Sequence, residues 1–199
     1  MVALVTAATA GLAYRWLVAL SYPDPMLSDE VLTLRPWTFA DLDCVREAGT
    51  DPQIPSGTTV PSSWTIDAGR AFIDRQLKRI ESGEGISLAI HAVDLDRAVG
   101  LVSMMLRPQP GVIGLGYWVV PGARQLGFAR RAATLAGGWA IGPGGFARVE
   151  AWVEPNNEPS QSVLNSAGFE LEGRLRSFLT IGDSRSDALV YSRITSPDG

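Results

Sequence analysis

Residues 124–131 read RQLGFARR, and of all stretches in this chain their types and spacing best suit holding a ligand. They lie between the apolar run GLGYWVVPGA and the stretch AATLAGGWA, where a strand hands over to a helix. A helix N-terminus presents unpaired backbone N–H groups and the positive end of the helix dipole, which together suit a phosphate. Gly127 lets the backbone approach such a group with no side chain in the way, and Ala129 keeps a nearby position small. The same residues also suit a plain connecting turn with solvated charges. The pattern Arg-x-x-Gly-x-Ala does not by itself decide between the two.

The elements that must position this stretch can be read on both sides of it. VLTLRPW (31–37) predicts a first strand, with Pro36 barring a central ladder position at its end. Thr38 predicts a helix cap, with Asp41 three residues on, and the helix FADLDCVREAG stops at Gly49. TDPQIPSGTTVPSSW (50–64) reads as a long loop of the kind that carries binding functions. Asp67 opens an amphipathic helix in which Phe72, Ile73, Leu77 and Ile80 share a face. GISLAIHAV and RAVGLVSMMLRP form two strands around the turn DLDR, and GVIGLGYWVVPGA (111–123) is a third.

Gly127 then opens the helix of the RQLGFARR stretch. FARVEAWVEP (146–155) is a further strand, NEPSQSVLNSAGF a short helix that Asn157 caps, and the chain closes in a hairpin around GDSRS. This order of elements predicts an α+β, or mixed α/β, fold.

Composition narrows the chemistry. The 199 residues are 46% hydrophobic and 19% charged, as in globular proteins. A net charge of −4 argues against a nucleic-acid partner, so an anionic ligand must be held by a local site. The single cysteine, Cys44, can form no internal disulfide, and with the single histidine, His91, it leaves little for a metal site, so no metal is expected. Residues 1–25 differ from the rest, being apolar almost throughout with Arg15 inside the run. That reading gives an appended helix or a start-site artefact rather than a stable membrane insertion, with 26–199 as the working domain and Met26 as its natural start. The apolar extension makes a homodimer one expectation, and the cytoplasm the expected location.

Taken in order, the strand, RQLGFA, RVEAWVEPNNEPS and SAGFELEGRLR resemble the GCN5-related N-acetyltransferases, and within them the branch that acetylates ribosomal-protein N-termini. The resemblance covers about residues 30–194. It implies a mostly antiparallel twisted sheet of about seven strands flanked by helices, with central strands splayed at the cofactor site. It also implies that Arg124, Gln125, Leu126, Gly127, Phe128, Ala129 and Arg130 cradle the pyrophosphate of acetyl-CoA, used as a co-substrate. Trp118, Val119 and Val120 would flank the pantetheine arm, and Asn157 and Ser160 would meet the cofactor near its sulfur. Gln125 and Leu126 depart from the family's more flexible glycine-containing loop, so Leu126 must point away from the phosphates.

Acetyl transfer to an amine then needs an uncharged amine, a donor to the carbonyl oxygen, and a proton for the leaving thiolate. A backbone N–H near Val119 or Val120 is the candidate donor, typically worth about 3 kcal/mol of barrier. Ser160 and Tyr191 are the candidate acids. Glu150 is the candidate base, with Glu154, His91 and Asp51 behind it. An α-amine, with a pKa near 8, could also do without one. The acceptor is a primary amine, at a protein N-terminus or on a small molecule, facing loop 50–64 and the terminal hairpin. The alternative is a coenzyme A-binding module without turnover, acting as a sensor or partner subunit; a third reading keeps RQLGFARR as an empty turn.

Overall fold

The computed structural model describes residues 20–195. Among these residues eight strands form one sheet in the spatial order β1-β2-β3-β4-β5-β6-β8-β7. They are β1 (Leu27–Ser28), β2 (Leu32–Arg35), β3 (Gly85–Ala92), β4 (Arg97–Leu106), β5 (Val112–Val119), β6 (Arg148–Val153), β7 (Glu170–Ile181) and β8 (Ser184–Ile194). Every neighbouring pair is antiparallel except β5 and β6. Parallel neighbours need a crossover connection, and here it runs through the helix that Gly127 opens.

The helices are α1 (Leu42–Ala48), α2 (Gln53–Gly57), α3 (Ile66–Glu81), α4 (Phe128–Ile141) and α5 (Glu158–Ser166). The sheet has one strand more than the resemblance implied. The extra one, β1, is a two-residue edge strand, too short to leave an alternating pattern in sequence. The second difference is α2, inside the expected loop 50–64. The Asp51 carboxylate accepts the Gln53 N–H at 2.8 Å and starts the turn, while the surrounding Pro, Ser and Gly hide it from a composition reading. The boundaries of α3 also shift slightly, with Thr65 capping it through the Ala68 N–H.

The appended-helix reading of residues 1–25 falls outside the described residues as far as residue 19. Beyond that point Leu20 and Tyr22 pack against the core. Among the described residues no helix is long and apolar enough to cross a membrane.

Packing follows from which residues each element turns inward. Helices α1 and α3 lie together on the sheet face where Trp37, Phe72 and Trp118 form an aromatic cluster, with ring centroids 5.6–6.4 Å apart. On the other face α4 presents Ala132, Ala133, Ala136 and Ala140, all buried, and α5 packs beside it. The small side chains let α4 sit close over β5 and β6. Strand β6 alternates buried Val149, Ala151 and Val153 with half-buried Arg148, Glu150 and Trp152, so its polar residues share one side. Cys44 is buried in α1, and burial pushes its thiol well above the ordinary range, which removes it as a nucleophile. His91 lies on β3 against Arg35 (3.2 Å), in a network with Asp41 and Thr38 that fixes the first helix. It belongs to the scaffold rather than to the site.

Candidate functional site

The central strands part because each is held on its outer side. Strand β5 keeps its ladder with β4 from Ile113 through Val119. Strand β6 keeps its ladder with β8 from Arg148 through Val153. Between them, only Val112–Gly114 and Arg148–Glu150 pair. Past Gly114 the two strands diverge, and a gap opens in the middle of the sheet.

Alternation along β5 decides which residues face that gap. The Val120 N–H donates to the Val99 carbonyl at 2.9 Å, and the Val120 carbonyl accepts the Ala123 N–H at 3.0 Å. The Trp118 carbonyl points at Gly100 of β4, where an added Cβ would meet it at 2.3 Å. Trp118 and Val120 are thus turned toward β4, and neither offers its backbone to the gap. Tyr117 and Val119 are the positions turned the other way. Of the two donors expected from sequence, the Val120 N–H is spent and the Val119 N–H faces the opening. The Val119 carbonyl accepts Arg124 Nε at 3.2 Å.

The RQLGFARR stretch sits at the end of this gap. Gln125 and Gly127 both take left-handed backbone, with φ of 63° and 80°. Left-handed residues alternating with ordinary ones turn successive N–H groups inward into an anion-binding concavity. Glycine adopts this conformation freely, whereas at Gln125 it costs about 1–2 kcal/mol. Gly127 caps α4 with no side-chain acceptor, and the first bond within the helix runs from Arg131 N–H to the Gly127 carbonyl at 3.1 Å. The N–H groups of Phe128, Ala129 and Arg130 are left for a ligand. Phe128 is buried and anchors the helix start; Leu126 is 59% exposed. Arg131 pairs with Asp29 at 2.8 Å, which leaves the exposed Arg130 as the nearby cation.

Arg124 is turned aside, into an ion pair with Asp51. Burial alone would raise the Asp51 carboxyl. The Gln53 N–H and the Arg124 guanidinium outweigh it and hold Asp51 below its ordinary value. Asp51 therefore fastens the segment before α2 to the cradle, and is not a free base.

Across the gap lies the N-terminus of α5. The Asn157 side chain caps it by accepting the Ser160 N–H at 3.1 Å. Ser160 is half-buried in the first turn, and its hydroxyl makes no hydrogen bond among the described residues. Sequence reasoning missed Tyr117, whose hydroxyl bridges the gap and donates to the Ser160 carbonyl at 3.1 Å. Burial pushes its pKa up to about 12, so it stays a donor. The available signal was its place beside Trp118 on the splayed strand, at the position that alternation turns to the gap. Tyr191 is 2% exposed on β8, opposite Ala151, and packs as core.

On the side facing α3, Glu150 sits 3.1 Å from Arg107 and 3.4 Å from Arg148, one oxygen to each. Arg107 also stacks on Trp152, 3.7 Å from the ring centroid, and occupies the space that the missing side chain of Gly114 leaves. Arg148 reaches on to Glu172 at 2.5 Å, and Glu172 accepts from Ser192 at 2.6 Å. These partners hold the Glu172 carboxyl down to about 2. Two openings flank this cluster. One, of about 340 Å³, runs along Gly116–Trp118 beneath Gly57–Thr59 and α3. The other, of about 900 Å³, lies between Arg107, Trp152 and the β7–β8 hairpin. The Gly182 N–H at the hairpin tip donates to the Ser56 carbonyl of α2 at 3.3 Å, so hairpin and α2 meet over this face. The structure thus brings Val119, Arg124, the 125–130 loop, Asn157, Ser160 and Tyr117 to one gap, and commits Glu150 to ion pairs.

The same architecture recurs in known proteins. The profile of the acetyltransferase (GNAT) domain family matches residues 31–170. The uncharacterized N-acetyltransferase p20 of Bacillus licheniformis is 27% identical over 167 residues, 83% of this chain and 94% of the relative. Among solved structures, the microcin C7 self-immunity acetyltransferase MccE, in complex with acetyl-CoA and AMP, superposes with a TM-score of 0.74. It is 18% identical, and the match covers 86% of this chain and 100% of that one. The ribosomal L7/L12 α-N-protein acetyltransferase RimL, in complex with coenzyme A, superposes with a TM-score of 0.73. It is 16% identical, with 85% of this chain and 97% of that one covered.

Proposed function

The chain belongs to the GNAT acetyltransferase family, and from that premise we propose that it transfers the acetyl group of acetyl-CoA to a primary amine by direct attack in a ternary complex. One observation carries the reading. A helix N-terminus with free N–H groups and two left-handed residues stands at the mouth of a gap between two parted parallel strands. That arrangement suits an extended ligand with a pyrophosphate at one end.

Acetyl-CoA, when bound, supplies an acyl thioester. The N–H groups of residues 125–130 hold its pyrophosphate. The Val119 N–H polarises the acetyl carbonyl from the edge of β5. Ser160 and the N-terminus of α5 steady negative charge at sulfur; Ser160 passes a proton there as the C–S bond breaks, and the proton that the attacking nitrogen sheds returns to Ser160 through solvent. Tyr117 acts through Ser160, fixing the turn that carries it, and is a positioning residue. Glu150 orders Arg107 and Arg148 rather than taking the proton, because both its oxygens are engaged. The acceptor amine arrives neutral and is held by the far face of the sheet, under α2 and the hairpin.

Calorimetric titration with acetyl-CoA, with dephospho-CoA as control, followed by a thiol-release assay over peptides and small amines, tests this. Binding with turnover is the expected result. Binding without turnover would favour the coenzyme A-binding module, and no binding would return RQLGFARR to an empty turn.

A further inference from the structure

The smaller opening, about 340 Å³, is walled by Phe72, Gln76 and Arg79 of α3 and by residues 116–118 of β5. Arg79 is its one charged side chain. The guanidinium is poorly served for a group in that position. Among the described residues its Nε is buried without a hydrogen-bond partner, and its Nη1 meets only the sulfur of Met105, at 2.9 Å. Thioether sulfur is a weak acceptor. No carboxylate among the described residues forms an ion pair with it, whereas Arg107, Arg124 and Arg148 around the same site are each paired. Three influences bear on its charge: burial opposes it, the exposed Glu84 attracts it from a distance, and Arg75 repels it. A half-buried arginine with an orphaned donor, set in a cavity wall, is short of one anion.

We infer that Arg79 receives a carboxylate carried by the acceptor, so that the acceptor is a small amine bearing its own negative charge. The inference rests on the acetyl-transfer reading above. Met105 lies opposite Gly114 on β5, three residues before Tyr117. At about 3.3 Å per residue the anion end is about 10 Å along β5 from Tyr117 and about 16 Å from the Val119 N–H, five residues past Gly114. Both ends belong to one cavity, whose size is at the small-ligand end of the usual range. A single guanidinium matches a monoanion, which favours carboxylate over phosphate. Gln76 supports the wall: its Oε1 accepts from Ser87 at 3.1 Å and its amide donates to the Phe72 carbonyl at 3.3 Å, so it is fixed in place.

The test pairs glycine, β-alanine, 4-aminobutanoate and 6-aminohexanoate with their carboxamides as acceptors, for the native protein and for Arg79→Gln and Arg79→Lys. Shorter amides have less basic amines than the matching acids and would react faster if the carboxylate were ignored. The expected result is that at least one acid exceeds its amide tenfold or more in kcat/KM. R79Q erases that preference through KM rather than kcat, and R79K restores part of it. Acetyl-CoA affinity within twofold of native in both variants shows that they are folded. Equal use of acids and amides overturns the inference, as does a preference that survives in R79Q, or a neutral peptide N-terminus preferred to every acid. Acetyl-CoA binding without acetylation of either series overturns the acceptor assignment and leaves the cofactor reading standing. Absence of acetyl-CoA binding overturns both.

Discussion

Asp51 and Arg124 form an ion pair that ties the segment leading into α2 to the start of the cradle, while Arg124 Nε holds the carbonyl of Val119. One arginine thus links three parts of the fold: the segment before α2, the last residue of β5, and the 125–130 loop. Its role in the native fold is to set geometry as well as charge.

Removing this link should separate the two contributions. Arg124→Ala is expected to weaken acetyl-CoA binding about tenfold, since it frees the Val119 carbonyl and loosens the loop, a loss of about 1.4 kcal/mol. Asp51→Ala keeps the cation and should cost less affinity, under threefold, while lowering stability by about 1 kcal/mol. Calorimetry and denaturant unfolding on the two variants check both parts. An Asp51 variant that binds worse than the Arg124 variant would reverse the assignment.

Gly127 is required for its backbone. Its φ is 80°, and an added Cβ there meets nothing within 4 Å. Gly127→Val should therefore cost stability only through the strained left-handed conformation, about 1–2 kcal/mol. Relaxing that strain would re-aim the N–H groups of the first helical turn. Acetyl-CoA affinity is expected to drop at least tenfold in a protein that still unfolds cooperatively. Retained affinity would count against the cradle.

Tyr117 gives a prediction at high pH. Its folded pKa lies near 12 against an ordinary value of 10.0, chiefly because burial disfavours the phenolate. The neutral phenol is favoured in the fold, so its contribution is whole below pH 10 and is lost as pH rises toward 12. Tyr117→Phe should lose about 1 kcal/mol of stability at neutral pH and flatten that alkaline decline. Because the hydroxyl holds the Ser160 carbonyl, kcat should fall more than acetyl-CoA affinity does. A pH–stability curve for the two proteins that coincides from pH 9 to 11 would contradict the role.

Glu172 acts at the opposite end of the scale. Arg148 and Ser192 depress its carboxyl to about 2, so its contribution is present above the ordinary glutamate value and is lost as pH falls toward 2. Glu172 is exposed and Arg148 half-buried, and solvent screening limits the pair to about 1 kcal/mol at most. Glu172→Gln should remove that acid-side loss. It should also release Arg148 toward Glu150, without changing stability above pH 7 by more than the same amount. Acid titration of unfolding, followed by circular dichroism, reads the difference.

The sequence by itself determined the parts whose cause is local. Gly127 at the start of a helix, Asn157 three residues before Ser160, and the alternation of β6 are short-range facts, because dihedral preference, capping and side-chain period act within a few residues. The fold class followed from such local facts, and the family from the resemblance that RQLGFA, RVEAWVEPNNEPS and SAGFELEGRLR carry, taken in order. The sequence left β1 and α2 unseen, one because two residues carry no period, the other because the Asp51 carboxylate that starts its turn stands among loop-like neighbours. What only the tertiary structure decided is which groups remain free. Val119 and Val120 are indistinguishable in sequence, yet the β4 ladder takes one N–H and leaves the other to the gap. Glu150 became an ion-pair partner because Gly114, on the neighbouring strand, makes room for Arg107. Arg79 stands alone because no carboxylate of the described residues folds within pairing distance, and pairing is set by contacts between strands and helices far apart in the chain.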